Sequence, residues 1–491
     1  MHDDFSFFWH DYEAWGRDPR RTRPAQFAGV RTDAELNEID APVSIHCQPP
    51  TDLLPEPGAV LLTGITPQLC AARGLPEQAF AAAIEAQLGR PGTVGVGYNS
   101  IRYDDEVTRF LFWRNLMDPY AREWQNRCGR WDLLDVMRAC HALRPEGMVW
   151  PRREDGHTSF RLEDLTAANG IAHASAHDAL SDVRATLALA RKLRAAQPRL
   201  WAFCLKLRSK QAVKDEFAAA ERAGRPLLHI SGMYGAERGG LALVWPLAPH
   251  PTNGNEVLVW DCAEDPAVLG TLDVEGLRLR LFTRREAQPE GLSRLPIKGV
   301  HLNKSPIVVS HLGALGAAQA ARWGIDLAAA QRHAEAAAAL APRLAGLWPE
   351  VYQRPAATAE TDVDEDLYGG FLADEDRRSL ARLLALPAEE RAERLAGGRQ
   401  PAFHDGRLDE LLFRYRARNF PDTLDAEAQA RWEAHRAARL HHGAAGALTL
   451  EAFLAEIDGL AEAAETAGDE RAQGLLEALV DWATEIAPDA D

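Results

Sequence analysis

Apolar positions in the first 190 residues fall into two alternating textures. Short runs, Phe5–Tyr12, Ala25–Thr32, Val43–Cys47 and Thr93–Tyr98, read as strands, with a shorter one near Trp131. Between and after them the spacing becomes helical over Glu77–Leu88, Asp105–Leu116, Leu134–Leu143 and Asp178–Ala195. The opening is rich in strands and the later part in helices, which predicts an α/β domain with a mixed sheet. A connecting helix spans roughly 196 to 222. From Leu227 the chain turns to short β-type runs bounded by Pro, Gly and Asn: Leu227–Gly235, Leu241–Leu247, Glu256–Asp261 and Val300–Ser310. These predict a small β domain, with a barrel as one form it can take. Beyond 314 an Ala-, Leu- and Arg-rich texture predicts helices, the first capped by Asp326 and running to Leu347. A Pro-, Thr- and acid-rich stretch over 353–366 reads as a linker. Amphipathic helices then follow at Glu375–Leu386, Leu408–Arg416, Ala426–Arg439 and Leu450–Ala463. The three blocks are placed at 5–195, 198–350 and 355–489.

Length agrees with this division, because 491 residues exceed what one core organises. No apolar run reaches the roughly 18 residues that a membrane span needs, and the acidic N-terminus lacks the basic start of a secretory signal. The six cysteines are scattered without a C-x-x-C pair, so neither a zinc site nor a disulfide framework is expected. A reducing cytoplasm is the expected compartment. A formal charge of −17 argues against a charge-driven nucleic-acid coat protein. It leaves open a nucleic-acid enzyme with local clusters of Arg and Lys.

The chemistry is carried by acids. Asp11 and Glu13 lie two apart at the end of the first strand, so both project to one face. Alone, D-x-E is more simply a strand running into an acidic loop. Further acids change that: Asp104 follows the strand ending near Tyr98, and Asp182 lies on the helix that His177 precedes. Four carboxylates can hold two hard cations, Mg²⁺ or Mn²⁺. Two such ions stabilise the attacking and leaving oxygens of a displacement at phosphorus. Asp11, deepest on its strand, is the candidate to bridge them. Glu13 would hold one ion beside the terminal sugar, and Asp104 would act directly or through water. His177, with an ordinary pKa near 6.5, suits a general base. Five residues on one continuous helix would separate His177 from Asp182 around the axis, so His177 is placed in the loop before it. Asp178 and Asp105 read as ordinary caps or first-turn acids.

D-x-E on the first strand, a mid-domain Asp and H-x-x-x-x-D at the last helix form the pattern of the DEDDh exonucleases. Longer segments resemble the bacterial exodeoxyribonuclease I family. Among them are His10-Asp11-Tyr12-Glu13, the stretch from Pro57 to Gln68, Asp104 to Arg109, Trp131 to Arg138, Ala142 to Gly147, Ser159 to Glu163, Val300 to Lys304 and Tyr415 to Pro421. The likeness runs nearly end to end. It implies a ribonuclease-H-like nuclease domain, an SH3-like β domain and an all-α C-terminal domain. It implies Mg²⁺-dependent, processive 3′→5′ removal of mononucleotides from single-stranded DNA, in DNA repair and recombination. It further implies binding to the acidic C-terminal tail of single-stranded DNA-binding protein. Carried over residue by residue, Asp11, Glu13, Asp104 and Asp182 would be metal carboxylates and His177 the base.

Strand contacts are expected from cations near the acidic motifs, Arg109, Arg138, Arg144 and Arg161, which can meet phosphates. Tyr120 and Trp124 can stack bases. Lys298, His301, Asn303 and Lys304 of the β domain can cover the strand. Arg138 and Arg144 could equally pair with helix acids, and Trp124 could be core. Two other readings stand beside the DNA nuclease: an exoribonuclease, since the acids do not read the 2′-OH, and a non-catalytic strand-binding scaffold. A monomer without membrane association is expected.

Overall fold

The computed structural model describes residues 5–173, 178–353 and 361–489. The chain divides into two compact units. One comprises Met1–Gly129, Ala174–Arg184 and Ala359–Asp491, the other Arg130–His173 and Ala185–Thr358.

The sheet of the first unit is built on β1 (Ser6–Ala14) and β2 (Pro24–Thr32). With β3 (Val43–His46) and β4 (Thr93–Gly97) it runs in the order β3-β2-β1-β4. Antiparallel pairing joins β1 to β2 and β2 to β3, whereas β1 and β4 are parallel, so the sheet is mixed as the pattern predicts. β1 and β2 are buried on both faces, which is why they read as apolar runs rather than alternations. Gly29 permits the close packing of this pair, because a Cβ there would meet the Phe8 ring at 2.3 Å.

The helix Asp104–Arg114 is buried along nearly its whole length, and its sequence explains how. Val107 and Leu111 join Phe8, Tyr12, Phe27, Phe80 and Ile84 on the sheet side. Phe110 and Trp113, on the opposite face, join Leu380, Leu383, Leu408, Leu411 and Tyr415. Those residues belong to helices Asp374–Leu384 and Arg407–Asn419. A second shared core joins Trp15, Val60 and Ile65 to Phe453, Ile457, Leu479 and Trp482 of helices Leu450–Ala467 and Glu470–Ile486. The C-terminal helices therefore pack on the helices that cover the N-terminal sheet.

Buried ions tie these helices down. The Arg418 guanidinium reaches Asp52 at 2.8 Å and also bonds Asp364. Arg23 meets Asp364 at 3.1 Å, and Arg414 meets Asp362 at 2.7 Å. Burial by itself raises the carboxyls of Asp52 and Asp364. The surrounding guanidiniums, Arg418 foremost, more than offset this and hold both well below the ordinary range.

The second unit opens with β5 (Gly129–Asp132) and helix Leu133–Leu143, capped by the Asp132 carboxylate on Leu134 N–H. The expected connecting helix is two, Pro198–Lys206 and Lys210–Ala223. Five antiparallel strands follow: β6 (Leu227–Ile230), β7 (Leu241–Pro249), β8 (Glu256–Asp261), β9 (Ile297–His301) and β10 (Ile307–Val309), in the order β10-β6-β7-β8-β9. β9 and β10 are opposite edges of this sheet, yet a turn that includes a bond from Lys304 N–H to His301 O (3.2 Å) joins them. A flat sheet would part them by about 19 Å, so the sheet curls toward closure. The single strand expected over Val300–Ser310 is broken here because Asn303, Ser305 (φ +48°) and Pro306 form that turn. Asp326 caps the helix Leu327–Ala345 through Ala328 and Ala329. The sequence reading misses helix Val274–Phe282, which Asp273 caps. Among the described residues no helix is long and apolar enough to cross a membrane.

Candidate active site

β1 is longer than its parallel neighbour. Their pairing ends at Trp9–Val96, so the last residues of β1 run on past the carboxyl end of β4. Asp11 and Glu13 stand on this free stretch, where α/β sheets place their ligands. From β4 the chain turns sharply through Asn99 (φ +64°) into the helix that Asp104 opens. Gly97 makes the turn possible: a Cβ there would lie 2.6 Å from Ser100 Cβ and 2.9 Å from His10 O.

Asp104 is anchored to β1 between the two acids. Its Oδ1 accepts the Tyr12 N–H at 3.1 Å. Thr108 donates its hydroxyl to the Asp104 carbonyl (2.8 Å) and lies 2.9 Å from the Tyr12 hydroxyl. Asp182 arrives in the first turn of helix Ala179–Ala196. Asp178 caps Ser181 N–H at 3.1 Å, as expected of a cap, and its other oxygen accepts from Gln26 Nε2 at 3.4 Å. Among the described residues, Asp11, Glu13 and Asp182 bring one carboxylate oxygen each within 4.8 Å of the others. His177 lies outside the described residues.

Electrostatics mark the cluster. Burial, then Asp104, Glu13 and Asp182, push the Asp11 carboxyl well above its ordinary range. Burial, Asp182 and Asp178 push Glu13 from 4.5 to about 8. The donors are all oxygens and crowd their negative charge, which suits a hard divalent cation and relieves the repulsion when one binds. Asp11, Glu13 and Asp182 would hold it, with Asp104 adjoining.

The upward shifts have a measurable consequence. In metal-free protein the folded state retains protons that the unfolded chain releases. The stability these groups contribute is complete below the ordinary carboxylate range and is lost as pH rises toward 8. The melting temperature in chelator is therefore expected to fall between about pH 5 and 8, and the gain on adding Mg²⁺ to grow over that window. A metal-induced gain independent of pH, followed by scanning fluorimetry, would contradict the assignment.

Behind the acids, Asp105 departs from its expected role as an ordinary first-turn acid. It is buried, and its Oδ1 lies 2.7 Å from Arg122. His10 is buried alongside; burial and then Arg122 lower its pKa to about 4 and keep it neutral.

The expected strand contacts fare unevenly. Arg109 is buried, paired with Glu123 and Glu106 (2.7 Å each) and bonded to the Tyr368 hydroxyl at 3.1 Å. Its place is inside an ion-pair network. Tyr120, half-buried, lies under Arg109 at 5.2 Å. Trp124 is 68% exposed and is not core. The remaining candidates belong to the second unit. Arg144 donates to the carbonyls of Leu143 (2.6 Å) and Ala314 (2.7 Å), so it is held by backbone rather than presented to a ligand. Arg138 pairs with Asp135 at 2.6 Å. Arg161 is exposed and pairs with Glu163 at 2.8 Å. Lys298 and His301 lie on β9, and Asn303 and Lys304 in the turn beyond it. His301 stands 3.8 Å from Glu256. The sequence reading missed the Tyr12 amide and Gln26 as supports of the acids. A backbone donor and a cross-strand glutamine leave no motif to find.

Three family models match the chain: Exonuclease over residues 8–190, Exonuclease I SH3-like domain over 208–354 and Exonuclease I C-terminal domain over 361–486. Exodeoxyribonuclease I of Escherichia coli K12 is 42% identical over 98% of both chains. The structure of a moderately thermophilic exonuclease I from Methylocaldum szegediense is 46% identical, with a TM-score of 0.88, covering 98% of this chain and 99% of that one. E. coli exonuclease I in complex with a dA16 oligonucleotide matches with a TM-score of 0.90 at 41% identity, covering 99% and 100%. By similarity along its whole length, and with an oxygen-only carboxylate cluster in its nuclease domain, the chain belongs to the exodeoxyribonuclease I family.

Proposed function

We propose that this enzyme degrades single-stranded DNA from the 3′ end, releasing 5′-mononucleotides with Mg²⁺ as its metal, processively and in the service of DNA repair and recombination. The observation that carries the reading is the convergence of Asp11, Glu13 and Asp182 within 4.8 Å, in a chain that matches a DNA-bound relative from end to end. Divalent cations held there supply charge stabilisation to the attacking and leaving oxygens of the phosphodiester.

The chain's own residues do the rest. Asp11 takes the central position and Glu13 stands toward the terminal sugar. Asp104, fixed by the Tyr12 amide, and Asp182 complete the acidic cup. His177 accepts the proton of the attacking water. Exposed Trp124 and Arg161, with Tyr120, Arg138, Lys298, His301, Asn303 and Lys304, are proposed to guide the strand. The acidic C-terminal tail of single-stranded DNA-binding protein is the proposed protein partner, and the enzyme acts as a monomer. Its six free thiols suit a reducing cytoplasm.

His177→Ala is expected to slow turnover by roughly 10²–10⁴-fold while leaving the metal-induced rise in melting temperature intact. Unchanged turnover would assign the proton to another acceptor. The reading itself is tested on 3′- and 5′-labelled single strands, as DNA and as RNA, with Mg²⁺ and with chelator. Rapid metal-dependent loss of the 3′ label from DNA alone is expected. Preference for RNA would make the protein an exoribonuclease, and binding without cleavage of either would make it a scaffold.

A further inference from the structure

The acidic cup joins carboxylates from separate elements. Asp11 and Glu13 come from β1, and Asp182 comes from the first turn of helix Ala179–Ala196. Without a cation these groups repel: Asp182 is among the charges that disfavour ionisation of both Asp11 and Glu13. Its oxygen nevertheless lies within 4.8 Å of theirs. The start of its helix is therefore held against the sheet by contacts that outweigh this repulsion.

Gln26 supplies such a contact. It lies on β2 directly opposite Glu13 in the antiparallel register, so the two side chains share one face of the sheet. It is buried, and its Nε2 donates to Asp178 Oδ1 at 3.4 Å and to Ser44 Oγ on β3 at 3.3 Å. The chemistry fixes which end of the amide faces the helix. An ionised carboxylate accepts and cannot donate, so the nitrogen must meet Asp178. Asp178 in turn holds the first turn. Its Oδ2 accepts the Ser181 N–H at 3.1 Å, and its carbonyl accepts the Asp182 N–H at 3.0 Å. Gln26 thus reaches the backbone of Asp182 through a single residue. This orientation leaves Gln26 Oε1 buried with no hydrogen-bond partner among the described residues. An orphaned buried carbonyl is destabilising, so packing alone would favour an apolar side chain at this position.

Resting on the proposed metal site, we propose that Gln26 is a positioning residue for the cation: by holding Asp178 it fixes the first turn of helix Ala179–Ala196, so that Asp182 stays beside Asp11 and Glu13.

The test reads cation uptake in the absence of DNA. Mn²⁺ is titrated calorimetrically into the full-length protein, and cleavage of single strands is followed in parallel as a function of Mg²⁺. Gln26→Met keeps the length and bulk of the side chain and removes the donor. It is expected to weaken Mn²⁺ binding about tenfold to a hundredfold, the range for a group that orients a metal ligand. The Mg²⁺ concentration for half-maximal cleavage should rise by the same factor. Saturating Mg²⁺ should restore kcat, which a general loss of folded structure would not allow. A second pair of variants leaves Gln26 in place. Asp178→Asn and Asp178→Ser both keep a capping oxygen and both remove the charge, but only the first keeps an oxygen that Gln26 can reach. Asp178→Asn should therefore bind Mn²⁺ at least about tenfold more tightly than Asp178→Ser, and adding Gln26→Met should erase the difference. If Gln26→Met binds Mn²⁺ as wild type does, or if Asp178→Asn and Asp178→Ser bind it equally, the positioning role is refuted while the metal site stands. Wild type that takes up no Mn²⁺ would remove the metal site, and the role of Gln26 with it.

Discussion

Asp11→Ala is expected to abolish cleavage, with kcat/KM down at least about a thousandfold, while single strands still bind. The size follows from what the carboxylate does. Asp11 is the member of the cluster on which Asp104, Glu13 and Asp182 all act electrostatically. Removing it takes away one of three carboxylates whose oxygens lie within 4.8 Å of one another and could hold a cation. A held cation supplies several kcal/mol of transition-state charge stabilisation, and about 4 kcal/mol corresponds to three orders of magnitude in rate. Binding is expected to persist because the proposed strand contacts lie outside the cup. The variant should also lose much of its metal-induced gain in melting temperature, since the like-charge crowding that metal relieves is already reduced. Cleavage at more than a few percent of the wild-type rate in Mg²⁺ would remove Asp11 from the metal site.

The second large effect is on stability. Asp364→Ala is expected to destabilise the first unit by about 3–5 kcal/mol, the cost of leaving a buried charge without its partner. Asp364 is 2% exposed and bonds both Arg23 and Arg418, which are themselves buried. Burial and then Arg418 lower the tendency of Arg23 to stay charged, which Asp364 foremost offsets in part, and Asp364 with Asp52 holds Arg418 charged. Calorimetry should show the melting of the first unit moving down by several degrees. Because the Asp364 pKa is depressed, its stabilisation is present above the ordinary 3.8 and is lost only as pH falls through the lower folded value. The wild-type and variant melting curves should therefore differ at neutral pH and converge in strong acid. A variant that melts like wild type at pH 7 would show that water, not protein, compensates the pair.

Legibility differed from element to element. The helix Glu77–Leu88 was readable to the residue, since a clean periodic face sits between Pro76 and Gly89. β1 was readable as a strand and its D-x-E spacing as a shared face, because alternation is a property of the backbone itself. Glu470–Ile486 was not recognised, although its Leu479 and Trp482 fill a core with Trp15 and Val60. Its apolar residues face both the neighbouring helix Leu450–Ala467 and partners more than 400 positions away. Arg109 shows the same limit. Proximity in sequence to acidic motifs suggests a phosphate contact but not the Glu123 and Tyr368 partners that folding brings to its guanidinium.

What the sequence by itself determined was composition of matter and local geometry: which acids exist, which face they share within a strand, where helices begin, and a family pattern spread over the whole chain. Those follow from dihedral preferences and short-range spacing. Only the tertiary structure decided which charges meet. It set Asp182 within reach of Asp11 and Glu13, fixed Asp104 through a backbone amide, and buried Arg109, Arg418 and Asp364 in ion pairs. Coulombic and desolvation energies depend on distance and burial, and neither is a property of position along a chain.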